Sequence, residues 1–234
     1  MDCGLYKKGI IRRVILSLIL FTFLNVASAR NADGNLSDSI SRLSRQIELY
    51  PDSIKLRIDK ASLNIFLEQW RYARNECNEI LKRDGNNPVA LFYRAYAHDK
   101  LGMLKFARKD YEALLTIVPG HFEAQLALAI VNQKDRHYTA AFDILNRLVG
   151  QYPTNHIIYS ARASLARERG MYDFALLDIT DAIKLYPKEG SYYIERAELY
   201  LLCGNKDAAR NDLDKAVSLG ISRGTLKSLY RECR

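Results

Sequence analysis

Apolar and small residues in this chain recur with two superimposed spacings. Over short distances apolar side chains return every three or four positions, as in Phe106, Tyr111, Leu114, Leu115 and Val118. This is the spacing of an amphipathic helix whose apolar stripe faces a core. Over longer distances alanine returns every 34 residues, in one series at Ala61, Ala95, Ala129, Ala163 and Ala197 and in a second at Ala73, Ala107, Ala141, Ala175 and Ala209. A fixed period of this length predicts stacked helical hairpins.

Numbering each repeat from position 1 to position 34 places five repeats at 54–87, 88–121, 122–155, 156–189 and 190–223. Alanine at positions 8 and 20 lets the two helices of a hairpin cross closely. Position 15 is glycine in three repeats, as a left-handed helix end requires, and position 32 is proline in three, which ends the second helix. The first helix is expected over roughly positions 2–14 and the second over roughly positions 17–31.

The repeats resemble tetratricopeptide repeats. The segments that carry the resemblance are RAYAHDKLGMLKFARKDYEALLTIVP at 94–119 and RASLARERGMYDFALLDITDAIKLYP at 162–187, with Tyr138 and Tyr172 at position 17 and Ala182 and Ala216 at position 27. The resemblance covers the five repeats, which together are 170 of the 234 residues. It implies an all-α fold, a right-handed superhelical solenoid of stacked antiparallel helix hairpins. It also implies binding of a protein or peptide rather than catalysis.

Positions 7 and 23 change together along the repeats. Position 7 is basic and position 23 acidic in four repeats, whereas the third repeat has Leu128 and Ile144. Removing one member of a buried ion pair costs about 3–5 kcal/mol, whereas replacing both by apolar groups can be neutral. The joint change therefore predicts ion pairs within the hairpins, and the alternative is coincidence on solvated faces. The predicted pairs are Lys60–Glu76, Arg94–Asp110, Arg162–Asp178 and Arg196–Asp212.

The resemblance also implies a binding surface. First helices of this family line the concave face, through positions near 2, 5, 9, 12 and 13. The residues there that form the candidate site are Phe92, Tyr96, Asp99, Lys100, Leu126, Ile130, Gln133, Lys134, Arg167 and Glu168. Apolar anchors inside a charged rim suit a peptide or helix, and the alternative is that these side chains pack between repeats. The Lys and Asn ladder with which some family members hold a C-terminal carboxylate is missing.

The chain begins with the pattern of an export signal. Four basic residues precede an apolar run at 14–26, and Ala27-Ser28-Ala29 follows it. This pattern predicts a secretory signal peptide over 1–29, cleaved after Ala29, and a periplasmic or secreted protein. The alternative is an uncleaved N-terminal segment that anchors the protein. Residues 30–53 are expected to form a linker and a capping helix, and residues 224–234 a closing helix.

Composition narrows the chemistry. The full chain has a formal net charge of +8, and no basic cluster is seen to interleave with exposed aromatic residues, so nucleic acid is not an expected partner. The four histidines have no metal-ligand spacing, and no catalytic or phosphate-binding motif is found, so neither metal nor cofactor is expected. Cys203 and Cys233 are candidates for a disulfide that clamps the closing helix, although packing alone explains both positions.

These observations favour an exported scaffold or adaptor without catalytic activity. Two alternatives stay open. One is an accessory subunit of an envelope enzyme or of a carbohydrate-handling complex, which would show clustered exposed aromatic residues. The other is a structural protein that assembles with itself.

Overall fold

The computed structural model describes residues 36–234. The predicted signal peptide and the first part of the predicted linker lie outside the described residues. Within that range the fold is all-α, as predicted: it contains twelve α-helices, one short 3-10 helix and no strand. The described residues contain no helix that is long and apolar enough to cross a membrane.

Eleven helices form the repeats and the N-terminal cap. Helix α1 (Leu36–Leu49) is the cap, and the first helices of the five hairpins are α2 (Ile54–Phe66), α4 (Pro88–Lys100), α6 (Phe122–Lys134), α8 (His156–Glu168) and α10 (Gly190–Leu202). The second helices are α3 (Trp70–Arg83), α5 (Leu104–Ile117), α7 (Tyr138–Gln151), α9 (Tyr172–Leu185) and α11 (Lys206–Ser218). The first helices occupy positions 1–13 and the second helices positions 17–30, except that α11 ends at position 29, so every end lies within about two residues of the expectation.

Each first helix begins with a side-chain cap at position 34 of the repeat before it. The capping side chain accepts a hydrogen bond from a backbone N–H two or three residues further on, and the caps are Ser53, Asn87, His121, Asn155 and Glu189. Such caps satisfy a donor that the helix itself leaves free.

All five hairpin turns have the same backbone, although only three contain glycine. Position 15 is left-handed in every repeat, with φ of 58° at Glu68 and 60° at Arg136, against 73° to 76° at the glycines. The N–H of position 16 donates to the carbonyl of position 11 in each case, at 2.8–2.9 Å. This bond is that of a Schellman motif, which requires a left-handed residue. Glu68 and Arg136 therefore hold a conformation that suits glycine.

The described chain divides into two compact units between His137 and Tyr138. The N-terminal unit contains α1–α6 and the C-terminal unit contains α7–α12, and within each unit consecutive helices pack in the manner of a helical solenoid. All ten alanines at positions 8 and 20 are at most 1% exposed. Two residues of the predicted α5 stripe are not core residues, however, because Phe106 is 56% and Val118 is 38% exposed.

A second recurring bond holds the end of each proline-terminated helix. The side chain at position 4 donates to the carbonyl oxygen of the preceding position-32 proline, from Gln125 to Pro119 at 2.7 Å and from Tyr159 to Pro153 at 3.0 Å. Arg57 and Tyr193 make the same bond to Pro51 and Pro187. In the second repeat both positions change, to Leu91 and Gly85. Position 4 therefore needs a donor of suitable length rather than an aromatic ring.

The closing segment differs from the single helix predicted at 224–234. A 3-10 turn at Arg223–Leu226 comes first, and α12 at Lys227–Glu232 follows. Leu226 and Cys233 are buried. The closing segment is thus formed by two short elements, with one buried apolar side chain at the end of each.

Candidate protein-binding faces

Three hairpins share an arginine clamp at positions 7 and 23. The guanidinium of Arg162 donates two parallel hydrogen bonds to Asp178, from Nη2 to Oδ1 at 2.7 Å and from Nε to Oδ2 at 2.8 Å. Arg94 with Asp110 and Arg196 with Asp212 repeat this geometry within about 0.1 Å. The three aspartates are only 3–6% exposed.

The remaining guanidinium nitrogen reaches the preceding repeat. Nη1 of Arg162 donates to the side-chain oxygen of Asn146 at 2.8 Å, and Nη1 of Arg94 donates to Asn78 at 3.0 Å. Both acceptors stand at position 25 of the repeat before. The clamp therefore joins the two helices of one hairpin and also joins that hairpin to its neighbour.

The first two repeats vary the clamp. In the first, Glu76 lies 2.9 Å from Nζ of Lys60 and 3.0 Å from Nη1 of Arg57. In the second, the Nδ1 atom of His98 lies 3.0 Å from Asp110. Burial disfavours the Asp110 carboxylate, but its hydrogen bonds with His98 and Arg94 leave the pKa of Asp110 below its usual value. These carboxylates are bound by cations of their own hairpins, and their role is structural.

The closing helix makes the same contact, from position 7 to position 25 of the preceding repeat, that two of the clamps make. Tyr230 stands at position 7 of an incomplete sixth repeat, and its hydroxyl donates to Oδ1 of Asp214, at position 25 of the fifth, over 2.6 Å. Burial and this hydrogen bond raise the pKa of Tyr230 to about 12. The sequence contains this signal, because counting by 34 from Arg196 arrives at Tyr230.

The structure corrects the apolar centre predicted for the first-helix face, the surface lined by the first helices. Phe92, Tyr96 and Leu126 are at most 5% exposed. The ring of Phe92 stacks on His121 with 5.4 Å between centroids, and Tyr96 packs edge-on against Trp70 at 5.7 Å. These side chains fill the space between hairpins and are not available as anchors.

Apolar side chains that do reach solvent lie on the same face. Val89 on α4 is 37% exposed, and Ile130 on α6 is partly exposed. They stand at positions 2 and 9 of their repeats, which project from one side of a helix.

Several charged residues predicted to form the rim bind one another. Nζ of Lys134 donates to Asp99 at 2.6 Å, and Arg167 forms an ion pair with Glu198. Both pairs join first helices of neighbouring repeats. Glu168 accepts a hydrogen bond from the hydroxyl of Tyr138 at 3.0 Å. The remaining two residues of the predicted rim, Lys100 and Gln133, are partly buried, and Nζ of Lys100 lies 5.0 Å from the centre of the Tyr96 ring. The charged residues of the predicted rim are therefore held by contacts within the protein.

The disulfide suggested for Cys203 and Cys233 is not formed. Both thiols are free, and Cys203 is exposed at the end of α10 whereas Cys233 is buried after α12. Cys77 is also free and is fully buried at position 24, where burial raises the pKa of its thiol. Packing accounts for the two buried thiols.

The histidines take structural positions. His156 stacks on Tyr186 with 4.6 Å between centroids, and its Nδ1 atom lies 2.6 Å from the hydroxyl of Tyr192. Burial lowers the pKa of His156. No group of three or more His, Cys, Asp or Glu side chains in residues 36–234 is arranged to hold a metal ion.

The sequence reasoning missed an exposed surface on the second helices of the N-terminal unit. Tyr72 is 65% and Phe106 is 56% exposed, and exposed basic residues adjoin both of them in the sequence. We call this surface the basic–aromatic patch, and its residues are Arg71, Tyr72, Lys105, Phe106 and Lys109. The signal was present in the repeat register, since positions 18 and 19 are basic and aromatic in both α3 and α5. Phe106 had been assigned to the core stripe instead.

Stacked, capped hairpins with a 34-residue period define a helical-repeat fold. A profile of the tetratricopeptide repeat matches residues 123–155. The chain is 26% identical over 216 residues to the DnaJ homolog subfamily C member 7 homolog of Dictyostelium discoideum, which covers 86% of this chain and 40% of that relative. It is 30% identical over 83 residues to peptidyl-prolyl cis-trans isomerase FKBP4 of Mus musculus, covering 36% of this chain and 18% of the relative. The chain thus spans less than half of either relative.

Solved structures share the fold. A tetratricopeptide repeat protein from Parabacteroides merdae superposes with a TM-score of 0.71 at 23% identity, over 89% of this chain and 82% of that one. YrrB, described as a TPR protein with an unusual peptide-binding site, superposes with a TM-score of 0.59 at 18% identity, over 81% of this chain and 97% of that one. The profile matches one repeat of this chain, and the solved structures show that the chain shares their helical-repeat fold.

Proposed function

We propose that this chain is an exported tetratricopeptide-repeat scaffold that binds a protein or peptide through its first-helix face. The observation that carries the proposal is the exposure of Val89 and Ile130 on neighbouring first helices, beside the ordered ion pair of Asp99 with Lys134. Exposed apolar side chains next to fixed charges suit a peptide that carries apolar anchors. Ile130 belongs to the site predicted from the sequence, and Val89 on α4 takes the role expected of the buried Phe92 and Tyr96 on the same helix.

The absence of catalysis is part of the proposal. The buried aspartates of the clamps are each held by two arginine nitrogens, so their lone pairs are already bound. A general acid or base must reach a substrate proton, and these groups are turned into the hairpins.

The binding test is in-cell crosslinking followed by mass spectrometry, with the double variant Val89→Glu/Ile130→Glu. We expect one recurrent partner for the wild type and its loss in the variant, because a carboxylate would replace each apolar contact. Leu177→Glu is the matched control, since Leu177 is 66% exposed on a second helix. Retention of the partner in the double variant would refute the first-helix face as its site.

Export rests on the signal pattern at 1–29 and is tested separately. N-terminal sequencing of the mature protein should begin at Arg30, and placing bulky residues at Ala27 and Ala29 should leave the longer chain. A cytoplasmic wild-type protein that still begins at Met1 would contradict export.

A further inference from the structure

We propose that the basic–aromatic patch on α3 and α5 is a second docking surface, which binds an acidic protein segment carrying apolar side chains. This surface lies on the second helices, so it is separate from the first-helix face. A scaffold with two such surfaces can hold two partners at once.

The two helices of the patch begin close together. Nη1 of Arg74, on α3, lies 3.8 Å from the sulfur of Met103, the residue immediately before α5. The beginnings of the two helices therefore adjoin. Arg71 and Lys105 occupy the same position in the first and second repeats, as do Tyr72 and Phe106, so the two helices present the same pair of residue types.

The charge of the patch is not cancelled within the chain. Arg71, Lys105 and Lys109 are exposed, and none of them makes an ion pair with any residue in the part of the chain that the structure describes. Neither α3 nor α5 has an acidic residue in its first turn, and their inward acids, Glu76 and Asp110, are held by other cations. Glu112, which is exposed on α5, marks the end of the patch.

The positions of these cations point to selection for binding. The first turn of a helix favours anionic side chains, and Lys105 and Lys109 repel each other as an i, i+4 pair. At the same repeat position the C-terminal unit has Asp173 and Asp207, which follow the helix preference. Large exposed aromatic rings beside the cations are likewise unfavourable in water.

Charge complementarity identifies the partner as anionic, and the rings require apolar groups on it. Three free cations are few for a nucleic acid, because each phosphate contact contributes a salt-dependent increment and specific complexes make about 6–10 of them. They are also few for a stable hold on an anionic membrane. A short acidic segment with apolar side chains matches both the small number of cations and the two rings.

The test measures binding of a defined probe to the full chain by fluorescence anisotropy at low salt. The probe is a labelled peptide of about twelve residues in which Asp and Glu alternate with Leu and Phe. The charge-reversed variant is Arg71→Glu/Lys105→Glu/Lys109→Glu. We expect it to weaken binding by at least about tenfold and to make the remaining affinity insensitive to salt. Tyr72→Ser/Phe106→Ser should weaken binding with the salt dependence intact.

A matched control separates the patch from general charge. Lys215→Glu/Lys227→Glu/Arg231→Glu changes the net charge by the same amount at exposed positions of the C-terminal unit, and it should alter the affinity by less than about twofold. All variants change exposed side chains, so circular dichroism should show unchanged helix content.

Three results would overturn the proposal. One is an equal loss of binding in the control, and another is a wild type that does not bind the peptide at all. The third is tighter binding of an oligothymidine or of vesicles containing anionic lipid than of the peptide, through the same residues. Val89→Glu/Ile130→Glu should leave peptide binding intact, which distinguishes failure of this proposal from failure of the first-helix face.

Discussion

Helices α3 and α5 of the N-terminal unit and helices α9 and α11 of the C-terminal unit have the same kinds of inward residues but opposite charges on their exposed first turns. Position 20 is a fully buried alanine in all four, and position 23 is an acid bound by cations of its own hairpin. Position 18 is Arg71 or Lys105 in the first pair and Asp173 or Asp207 in the second. The inward positions maintain the hairpin, whereas the outward positions are free to differ.

The largest effect is expected from opening an inward clamp. Arg162→Leu leaves Asp178 buried without its partner and should lower the free energy of unfolding by about 3–5 kcal/mol. Adding Asp178→Ile reproduces the residue types of the third repeat and should restore most of that loss. The measurement is urea denaturation followed by circular dichroism.

Arg147→Leu is the control for the clamp, because Arg147 is exposed on α7. It should change stability by less than about 0.5 kcal/mol. If the double variant is no more stable than Arg162→Leu, an apolar pair does not replace the clamp. Our interpretation of the apolar pair in the third repeat would then be wrong.

The contribution of Asp110, in the second repeat, to the stability of the protein should depend on pH. Asp110→Asn should cost about 1.5–3 kcal/mol at neutral pH, because the hydrogen bonds of Arg94 and His98 to a charged acceptor are weakened. Since the folded pKa lies below the ordinary value of 3.8, this stabilisation is present above that value and is lost as pH falls through the folded pKa. The gap in denaturation midpoint between wild type and variant should therefore narrow in acid. Asp173→Asn, at an exposed position, should produce a much smaller gap at neutral pH.

The turns offer a smaller effect that is common to both units. Glu68→Gly and Arg136→Gly should each stabilise the protein by about 0.5–1 kcal/mol. Glycine adopts a left-handed φ without strain, and the strain relieved exceeds the extra entropy that glycine loses on folding. Gly170→Ala should destabilise it by a similar amount. Hydrogen exchange of the position-16 amide would register the change locally, and slower exchange after Gly170→Ala would contradict the strain argument.

The smallest effect concerns the outward charges. Arg71→Asp and Lys105→Asp should each raise stability by about 0.3–1 kcal/mol at low salt, and Asp173→Lys should lower it by as much. The differences should vanish in high salt. If these variants are more stable than the wild type yet fail to bind the acidic peptide, the outward residues serve binding and are not needed for folding. Unchanged stability would remove the argument that the patch opposes the helix preference.

The periodic features were predictable and the exposed features were not. The register of the alanines located ten helices, and the joint change of positions 7 and 23 located side chains that the structure places in ion pairs. The register does not show how deeply a side chain is buried. Phe92, Tyr96 and Leu126 were therefore predicted to lie on a surface, although neighbouring hairpins cover them. Glu68 and Arg136 carry no glycine signal, so the sequence alone does not show that their backbone is left-handed.

Tyr230 shows how connections between neighbouring modules can be interchanged. A phenol here makes the contact with position 25 that a guanidinium makes elsewhere in the stack. The fifth repeat therefore offers a hydrogen-bond acceptor at position 25, as earlier repeats do. Replacing α12 by a hairpin with arginine at position 7 should lengthen the array by one module. Modules of this kind can be added or removed while each junction keeps its own local chemistry.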